Sequence, residues 1–273
     1  MMRAMELSGL TAIYFTQLKT SLAVQFQYRF SMGIWMISRV LEPLIYLVVW
    51  TTITKAQGGE VSGYAAGDFS AYFIVLMVVN QATFTWIMFV YDFKIRSGEF
   101  NFTLLRPLHP IHADIADNVA YKILTLVILI PAIFFLAWLF PPTFNPEPWY
   151  LLAGILATIV AFVGRFIMEW TLAMAALWTT RTNAINQTYY VFLFFMSGQI
   201  APLDVMPNFI QVLSFFFPFR WHIAFPVQLI LGRLTPQEVL LGFAMQIGWL
   251  IAALFILSVV WRAGIKQYSA VGS

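Results

Sequence analysis

The sequence predicts an all-α membrane protein with six transmembrane helices. Hydrophobic residues make up 61% of its 273 positions and charged residues only 10%, whereas a water-soluble domain carries roughly 25% charged residues. Long apolar stretches recur along the chain, each about the 20 residues that a helix needs to cross a bilayer. Lysine and arginine are concentrated in alternate connecting segments. These three patterns favour a multi-pass protein that buries its surface in lipid.

The apolar stretches place the spans in one transmembrane domain that occupies the whole chain, 1–273. No cleavable signal is visible at the N-terminus, so we expect the mature chain to begin near Met1. The first and fourth spans each contain an arginine and a glutamate. The predicted spans are residues 30–54, 69–91, 118–140, 149–178, 184–203 and 237–261.

The orientation follows from the positive charges in the segments that connect the spans, because these are enriched on the cytoplasmic side. One side carries Arg3, Lys19, Arg29, Lys94, Arg96, Arg106, Arg181, Arg262 and Lys266, and the other carries Lys55, Arg220 and Arg233. We therefore expect both termini in the cytoplasm and the protein in the plasma (inner) membrane.

Residues 5–28, before the first span, have the pattern of an interfacial helix. Leu7, Leu10, Tyr14, Leu18 and Leu22 recur at steps of three and four, which places them on one helical face. Such a helix can lie along the cytoplasmic membrane surface. The alternative is a tail that packs on the other helices.

Residues 204–234 are too apolar for a simple outer loop, but prolines divide this region into pieces too short to span. We expect short re-entrant helices in the outer leaflet, whose backbone ends are covered by protein. The prolines that divide it include Pro202, Pro207, Pro218 and Pro226, and Phe219 is one of its several aromatic residues.

Charged residues inside the spans are expected to pair, because an ionised group in the bilayer is costly. Arg165 and Glu169 are four residues apart, and Arg39 and Glu42 are three apart, so each pair shares a helical face. Both pairs are candidate intramembrane ion pairs. They either line a substrate path or a switching contact, or hold packed helices together.

The sequence lacks the marks of several other functions. It has no cysteine, no phosphate-binding G-x-x-x-x-G-K-[ST] or G-x-G-x-x-G loop and no basic run typical of a nucleic-acid-binding protein. His109, His112, Asp114 and Asp117 have spacings that could serve a metal or acid–base site. However, Pro110 separates the histidines, and the two aspartates suit the start of the third helix. We expect no catalytic residue, metal or cofactor on this chain.

The loop 92–117 after the second span contains KIRSGEFNFTLLRPLHPIH. Apolar residues, including Leu104 and Leu105, lie here between charged residues and turns in a segment that should face water. Exposed apolar residues in this setting suggest docking to another protein. The alternative is packing against the chain's own helix ends.

This loop, the surface helix that ends in Tyr28–Arg29, and the later SGQIAPLDVMPNFIQVLSFFFPFRWHIAFPVQLILGR together resemble the type-2 permease family of ATP-binding-cassette (ABC) exporters. The resemblance implies a permease with two ABC ATPase subunits, which bind ATP and Mg, and a second permease chain, identical or different, within membrane lipid. Residues 5–28 would then be the elbow helix. The outer re-entrant helices would close the extracellular end of the path, with the gate residues Pro202, Pro207, Pro218, Phe219 and Pro226. The residues that match the ATPase-coupling helix are Ile95, Arg96, Gly98, Glu99, Leu104, Leu105, Arg106 and Pro107.

Other functions are compatible with the same pattern. An ion-gradient-driven transporter or channel would use Arg165 and Glu169 as its gated site. A membrane-embedded lipid-modifying enzyme would use His109, His112 and Asp114. A scaffold subunit would only anchor partners.

Overall fold

The structure, a computed structural model, describes residues 7–179 and 182–268. These residues form an all-α protein with one small hairpin. The helices are α1 (Leu7–Gln27), α2 (Arg29–Ala56), α3 (Ala66–Thr83), α4 (Ile87–Arg96), α5 (Phe100–Leu104), α6 (Ile111–Leu139), α7 (Pro148–Ala173), α8 (Thr182–Met196), α9 (Asn208–Phe216), α10 (Pro218–His222), α11 (Ala224–Ile230) and α12 (Pro236–Gln267). Two 3-10 turns cover Met174–Leu177 and Leu203–Val205, and the antiparallel hairpin pairs β1 (Glu60–Val61) with β2 (Tyr64–Ala65).

Five helical segments in the described residues are long and apolar enough to cross a membrane. They are Arg29–Ala56, Ala66–Arg96, Ile111–Leu139, Pro148–Leu177 and Pro236–Gln267. The predicted span 184–203 corresponds to α8, which has 15 described residues and is about 22 Å long. It ends at Met196 because the chain turns at Gly198, whose φ is +83°. The exact number of six spans stays a prediction.

The second and third spans differ from the predicted 69–91 and 118–140. The second is divided into α3 and α4 by the non-helical residues 84–86. α6 begins at Ile111 and so extends into the predicted loop 92–117. Pro110 precedes this helix, and Asp114 occupies its first turn, where a negative charge suits the helix dipole.

α3 lies at the centre of the protein, in contact with α2, α6, α7 and α11. Its large side chains, among them Phe69, Tyr72 and Phe73, are fully buried. Tyr72 donates a 2.8 Å hydrogen bond to the backbone oxygen of Gly198. This bond joins the core helix to the turn after α8.

A helix is present at the predicted position as α1, and it packs along the start of α6. Its place on the membrane surface stays a prediction. The contacts are polar: Tyr14 bonds His112, Ser21 bonds the Asp117 carboxylate, and Gln25 bonds the Asp117 backbone oxygen. Ile13, Phe15, Val24 and Phe26 are exposed on other faces. Of the residues predicted to share one helical face, the structure describes the side chains of Tyr14, Leu18 and Leu22. The side chains of Leu7 and Leu10 lie outside the described residues, and so do Arg3 and Arg181 of the charge count.

The predicted re-entrant region 204–234 folds into α9, α10 and α11. α10 and α11 pack against α7, and residues 221–229 are all buried. α9 instead exposes Phe209 and Phe216. Two prolines of the region lie at helix starts, where proline is favoured: Pro218 opens α10, and Pro207 directly precedes α9. How deep this region lies in the outer leaflet stays a prediction.

Candidate functional site

The candidate coupling segment is a short helix fixed at one end to the protein core. α4 ends at Arg96, and the chain turns through Gly98, whose φ of +77° favours glycine. Phe100 then starts α5 and is fully buried. Its ring lies edge-on to Tyr91, Trp261 and Tyr268 at centroid distances of 5.6, 6.4 and 5.3 Å. Phe100 therefore holds α5 against the ends of α4 and α12.

The other apolar residues of this segment divide between the core and the surface. Leu104 is half-buried, whereas Phe102 is 72% exposed and Leu105 is 82% exposed. Part of the loop therefore packs against the chain's own helix ends and part is exposed, while docking to another protein stays a prediction. Phe100 and Leu104 pack inward, while Phe102 and Leu105 form an exposed apolar pair.

The charged residues of the segment surround that exposed pair. Glu99 and Arg106 are exposed, and neither belongs to an ion pair in the described part of the chain. Arg96 pairs with Asp92, which also accepts a hydrogen bond from Thr182. Ile95 is buried, Gly98 is half-buried and Pro107 is exposed.

The predicted pair in the fourth span is an ion pair, since Arg165 Nε lies 2.7 Å from Glu169 Oε1. Both side chains are buried. Glu169 also accepts hydrogen bonds from Thr85 Oγ1 at 2.5 Å and Tyr189 Oη at 3.1 Å. Arg165 Nη1 donates to Asn80 Oδ1 and Thr83 Oγ1, each at 3.2 Å. A buried pair is stable only when its remaining donors and acceptors are satisfied in this way.

Thr85 lies in the break of the second span, and Asn80 and Thr83 lie in the last turn of α3 directly before it. Residues 84–86 leave the helix, so the backbone groups around them lose their regular hydrogen bonds. Lys122 Nζ donates a 2.7 Å bond to the Phe84 backbone oxygen. The break, Lys122 and the Arg165–Glu169 pair form one polar cluster between α3, α4, α6 and α7.

The predicted pairing of Arg39 with Glu42 is wrong, because they form no ion pair among the described residues. The Arg39 guanidinium instead lies over the Phe84 ring, 3.9 Å from its centroid. This cation–π contact places Arg39 next to the break. Spacing of three residues put both side chains on one face but did not determine their partners.

The predicted gate residues have different environments. Pro202, Pro218, Phe219 and Pro226 are buried, whereas Pro207 is exposed. Phe219 lies edge-on to Tyr189 at a centroid distance of 5.5 Å. Since Tyr189 bonds Glu169, α10 is joined to the polar cluster. A gating role for these residues stays a prediction.

His109, His112 and the two aspartates bind other side chains of the protein. Asp114 accepts bonds from Tyr91 Oη at 2.5 Å and Trp170 Nε1 at 3.0 Å, and Lys94 Nζ lies 3.5 Å away. His109 packs 4.3 Å from Trp261 between ring centroids. These contacts join α6 and the residues just before it to α4, α7 and α12.

Three features of the site were not identified from the sequence. The first is the break at 84–86, which has no proline or glycine to mark it. The others are Lys122, which bonds a residue 38 positions away, and Asp114 as the centre of a buried network. An ionisable residue within a predicted span was the only available signal for Lys122.

The family profile described as ABC-2 family transporter protein matches residues 40–272. This match covers most of the chain, from the middle of α2 to beyond α12. The chain belongs to the ABC-2 transporter family. No curated protein matches the sequence at a significant level. As an ABC-2 family protein with five described membrane-crossing segments, it is a multi-pass component of a membrane transport system rather than a catalytic subunit.

Proposed function

We propose that this ABC-2 family protein is the permease subunit of an ATP-driven exporter. It forms half of the translocation path and binds a separate ABC ATPase through the loop after its second span. The working assembly contains two permease chains, identical or different, and two ATPase subunits, which supply the sites for ATP and Mg. Both termini face the cytoplasm across the plasma (inner) membrane.

The observation that carries this proposal is the exposed pair Phe102 and Leu105 on a short helix that Phe100 anchors. Exposed apolar residues rimmed by charge are typical of a protein-binding surface. Arg106 and Glu99 supply that rim. An anchored helix can transmit a displacement, whereas a free loop would absorb it.

The route of this displacement leads into the membrane domain. α4 runs without interruption from the coupling segment to the break at 84–86. At the break, Thr85 bonds Glu169, which bonds Tyr189 of α8. ATP-driven motion of the ATPase would move α4 and thereby change the contacts between the first, second and fifth spans. The two chains would open or close a path along their interface.

The polar cluster argues against transport driven by an ion gradient. Glu169 is held by Arg165, Thr85 and Tyr189, so its carboxylate oxygens already have partners within the protein. A gated ion site needs a carboxylate that is free to bind the transported ion. The cluster is therefore better suited to a structural or switching role.

The proposal is tested by purifying the tagged chain from its native host in mild detergents and identifying the proteins that accompany it. We expect a phosphate-loop ATPase in stoichiometric amount, and one or two kinds of permease chain. A chain that purifies without any ATPase in several mild detergents would overturn the proposal.

A further inference from the structure

A cavity of about 610 Å³ opens between α1, α2, α4 and α6, on the same side of the protein as the coupling segment. Its wall includes Arg39 and Glu42 of α2, and Phe84 and Trp86 from the break. The volume is within the range of about 300–1,000 Å³ that is common for small-molecule sites. It is large enough for the headgroup of an amphiphile and the first part of its chains.

Two opposite charges on the wall have no charged partner in the described part of the chain. The Arg39 guanidinium forms the contact with the Phe84 ring, and neither Arg39 nor Glu42 is in any ion pair or side-chain hydrogen bond among the described residues. Arg39 has five N–H donors and Glu42 has two acceptor oxygens. On one helical face the cavity therefore presents a guanidinium that lies over the Phe84 ring and a carboxylate, neither of them hydrogen-bonded to a described residue.

The other charges on the wall are already engaged. Asp114 accepts bonds from two buried rings and lies beside Lys94. Asp117 accepts the Ser21 hydroxyl. A bound molecule would thus find its available charges at Arg39 and Glu42.

The cavity also has an apolar, exposed border. Trp35 is 68% exposed and Trp86 is 50% exposed, and both line it. Both belong to segments long enough to cross the membrane, so these indoles would face lipid or the headgroup layer. A molecule with an apolar tail could reach the cavity sideways from the bilayer.

We propose that this cavity binds a zwitterionic amphiphile, with its anionic group at Arg39 and its amine at Glu42. This inference rests on the proposed transport function, for which it names the class of cargo. An amphiphile with only an anionic group would be repelled by the Glu42 carboxylate. One with only a cationic group would be repelled by the Arg39 guanidinium. A headgroup that carries both charges satisfies both residues.

The test measures lipid binding to the full chain, delipidated in non-ionic detergent, by native mass spectrometry. The probes share dioleoyl chains and differ in headgroup: phosphatidylethanolamine, phosphatidylglycerol and diacylglycerol. We expect phosphatidylethanolamine to bind about a hundredfold more tightly than diacylglycerol, about tenfold for each of two charge-assisted hydrogen bonds. Arg39→Gln should reduce this preference to about tenfold, since only the contact of the amine with Glu42 would remain. Glu42→Gln should weaken the binding of phosphatidylethanolamine about tenfold and should not weaken the binding of phosphatidylglycerol.

Lys55→Gln is the matched control, because it removes an exposed charge from the same helix outside the cavity. It should bind all three probes as the unmodified chain does. Equal binding of the three probes, or an unchanged preference in Glu42→Gln, would overturn the inference. Ser38→Cys chains that form disulfide-linked dimers and bind no lipid would also overturn it, since a second chain would then fill the cavity. The chain has no native cysteine to interfere.

The binding measurement needs no ATPase, so the two proposals can fail separately. Selective lipid binding by a chain that has no ATPase partner would overturn the transport mechanism and keep the site. An ATPase partner with no headgroup selectivity would overturn the site and keep the mechanism.

Discussion

Lys122 Nζ donates a 2.7 Å hydrogen bond to the backbone oxygen of Phe84, at the point where the second span leaves its helix. The bond satisfies a carbonyl that a continuous helix would have paired internally. It also joins α6 to the break between α3 and α4. The Phe84 ring meanwhile contacts Arg39, so one residue of the break connects two further spans.

Lys122→Met should destabilise the protein, because methionine is of similar length but has no donor for the Phe84 oxygen. Leaving a buried acceptor unsatisfied costs about 1–3 kcal/mol. Thermal unfolding in detergent, followed by tryptophan fluorescence, would show a lower midpoint. Lys55→Met, at an exposed position of α2, is the control and should leave the midpoint unchanged. An equally stable Lys122→Met protein would show that the bond does not support the break.

Arg165 and Glu169 should behave as a coupled pair in a double-mutant cycle. Arg165→Gln or Glu169→Gln alone leaves a buried charge without its partner, which typically costs about 3–5 kcal/mol. The double variant should lose less than the sum of the two single losses, by about 0.5–3 kcal/mol. Denaturant unfolding of all four proteins measures this difference. Strictly additive losses would mean that the pair contributes no interaction of its own.

Gly242 should tolerate alanine poorly, because a Cβ there would lie 2.0 Å from Phe225 Cε2. α12 would have to move away from α11, and such overpacking costs about 1–3 kcal/mol. At Gly248, on the same helix, an added Cβ would have no atom of another residue within 4 Å. Gly248→Ala should therefore be neutral or stabilising by up to about 1 kcal/mol. Equal changes in the thermal midpoint for the two variants would show that Phe225 does not restrict position 242.

Much of the fold was predictable because length and polarity determine which helices cross a bilayer. The predicted spans 30–54, 149–178 and 237–261 correspond closely to segments Arg29–Ala56, Pro148–Leu177 and Pro236–Gln267. Apolar length alone did not show where a helix breaks. The stretch to residue 203 stays free of charge beyond Met196, yet the helix ends at the turn through Gly198.

The site was less predictable because its contacts join distant parts of the chain. Spacing along a helix identified the pair of Arg165 with Glu169, but it gave a wrong partner for Arg39. The contacts of Arg39 and Lys122 with Phe84 depend on how three spans pack. Local sequence cannot supply that arrangement. In the same way, local sequence did not show that Phe100 is buried while Phe102, two residues later, is exposed.

His109 should make the protein less stable as the pH falls. Its burial beside Trp261, and then the nearby His112, lower the pKa of His109 below its ordinary value. The unfolded chain therefore takes up this proton first, and stability should be lost as the pH falls through about 6.5. The thermal midpoint would decrease between pH 7.5 and pH 5.5, and less steeply in His109→Gln. An equal slope in both proteins would exclude His109 as the cause.

Phe102 and Leu105 are proposed to bind an ATPase, and a pair of variants tests this directly. Both side chains are exposed, so Phe102→Asp with Leu105→Asp should leave the fold and its thermal midpoint intact. The control, Lys266→Asp with Gln267→Asp, places two carboxylates on an exposed part of α12 at the same end of the protein. The measurement is the amount of phosphate-loop ATPase that co-purifies with each tagged chain. We expect the Phe102/Leu105 variant to lose the ATPase while the control retains it. Full retention of the ATPase by both variants would show that these side chains do not bind it.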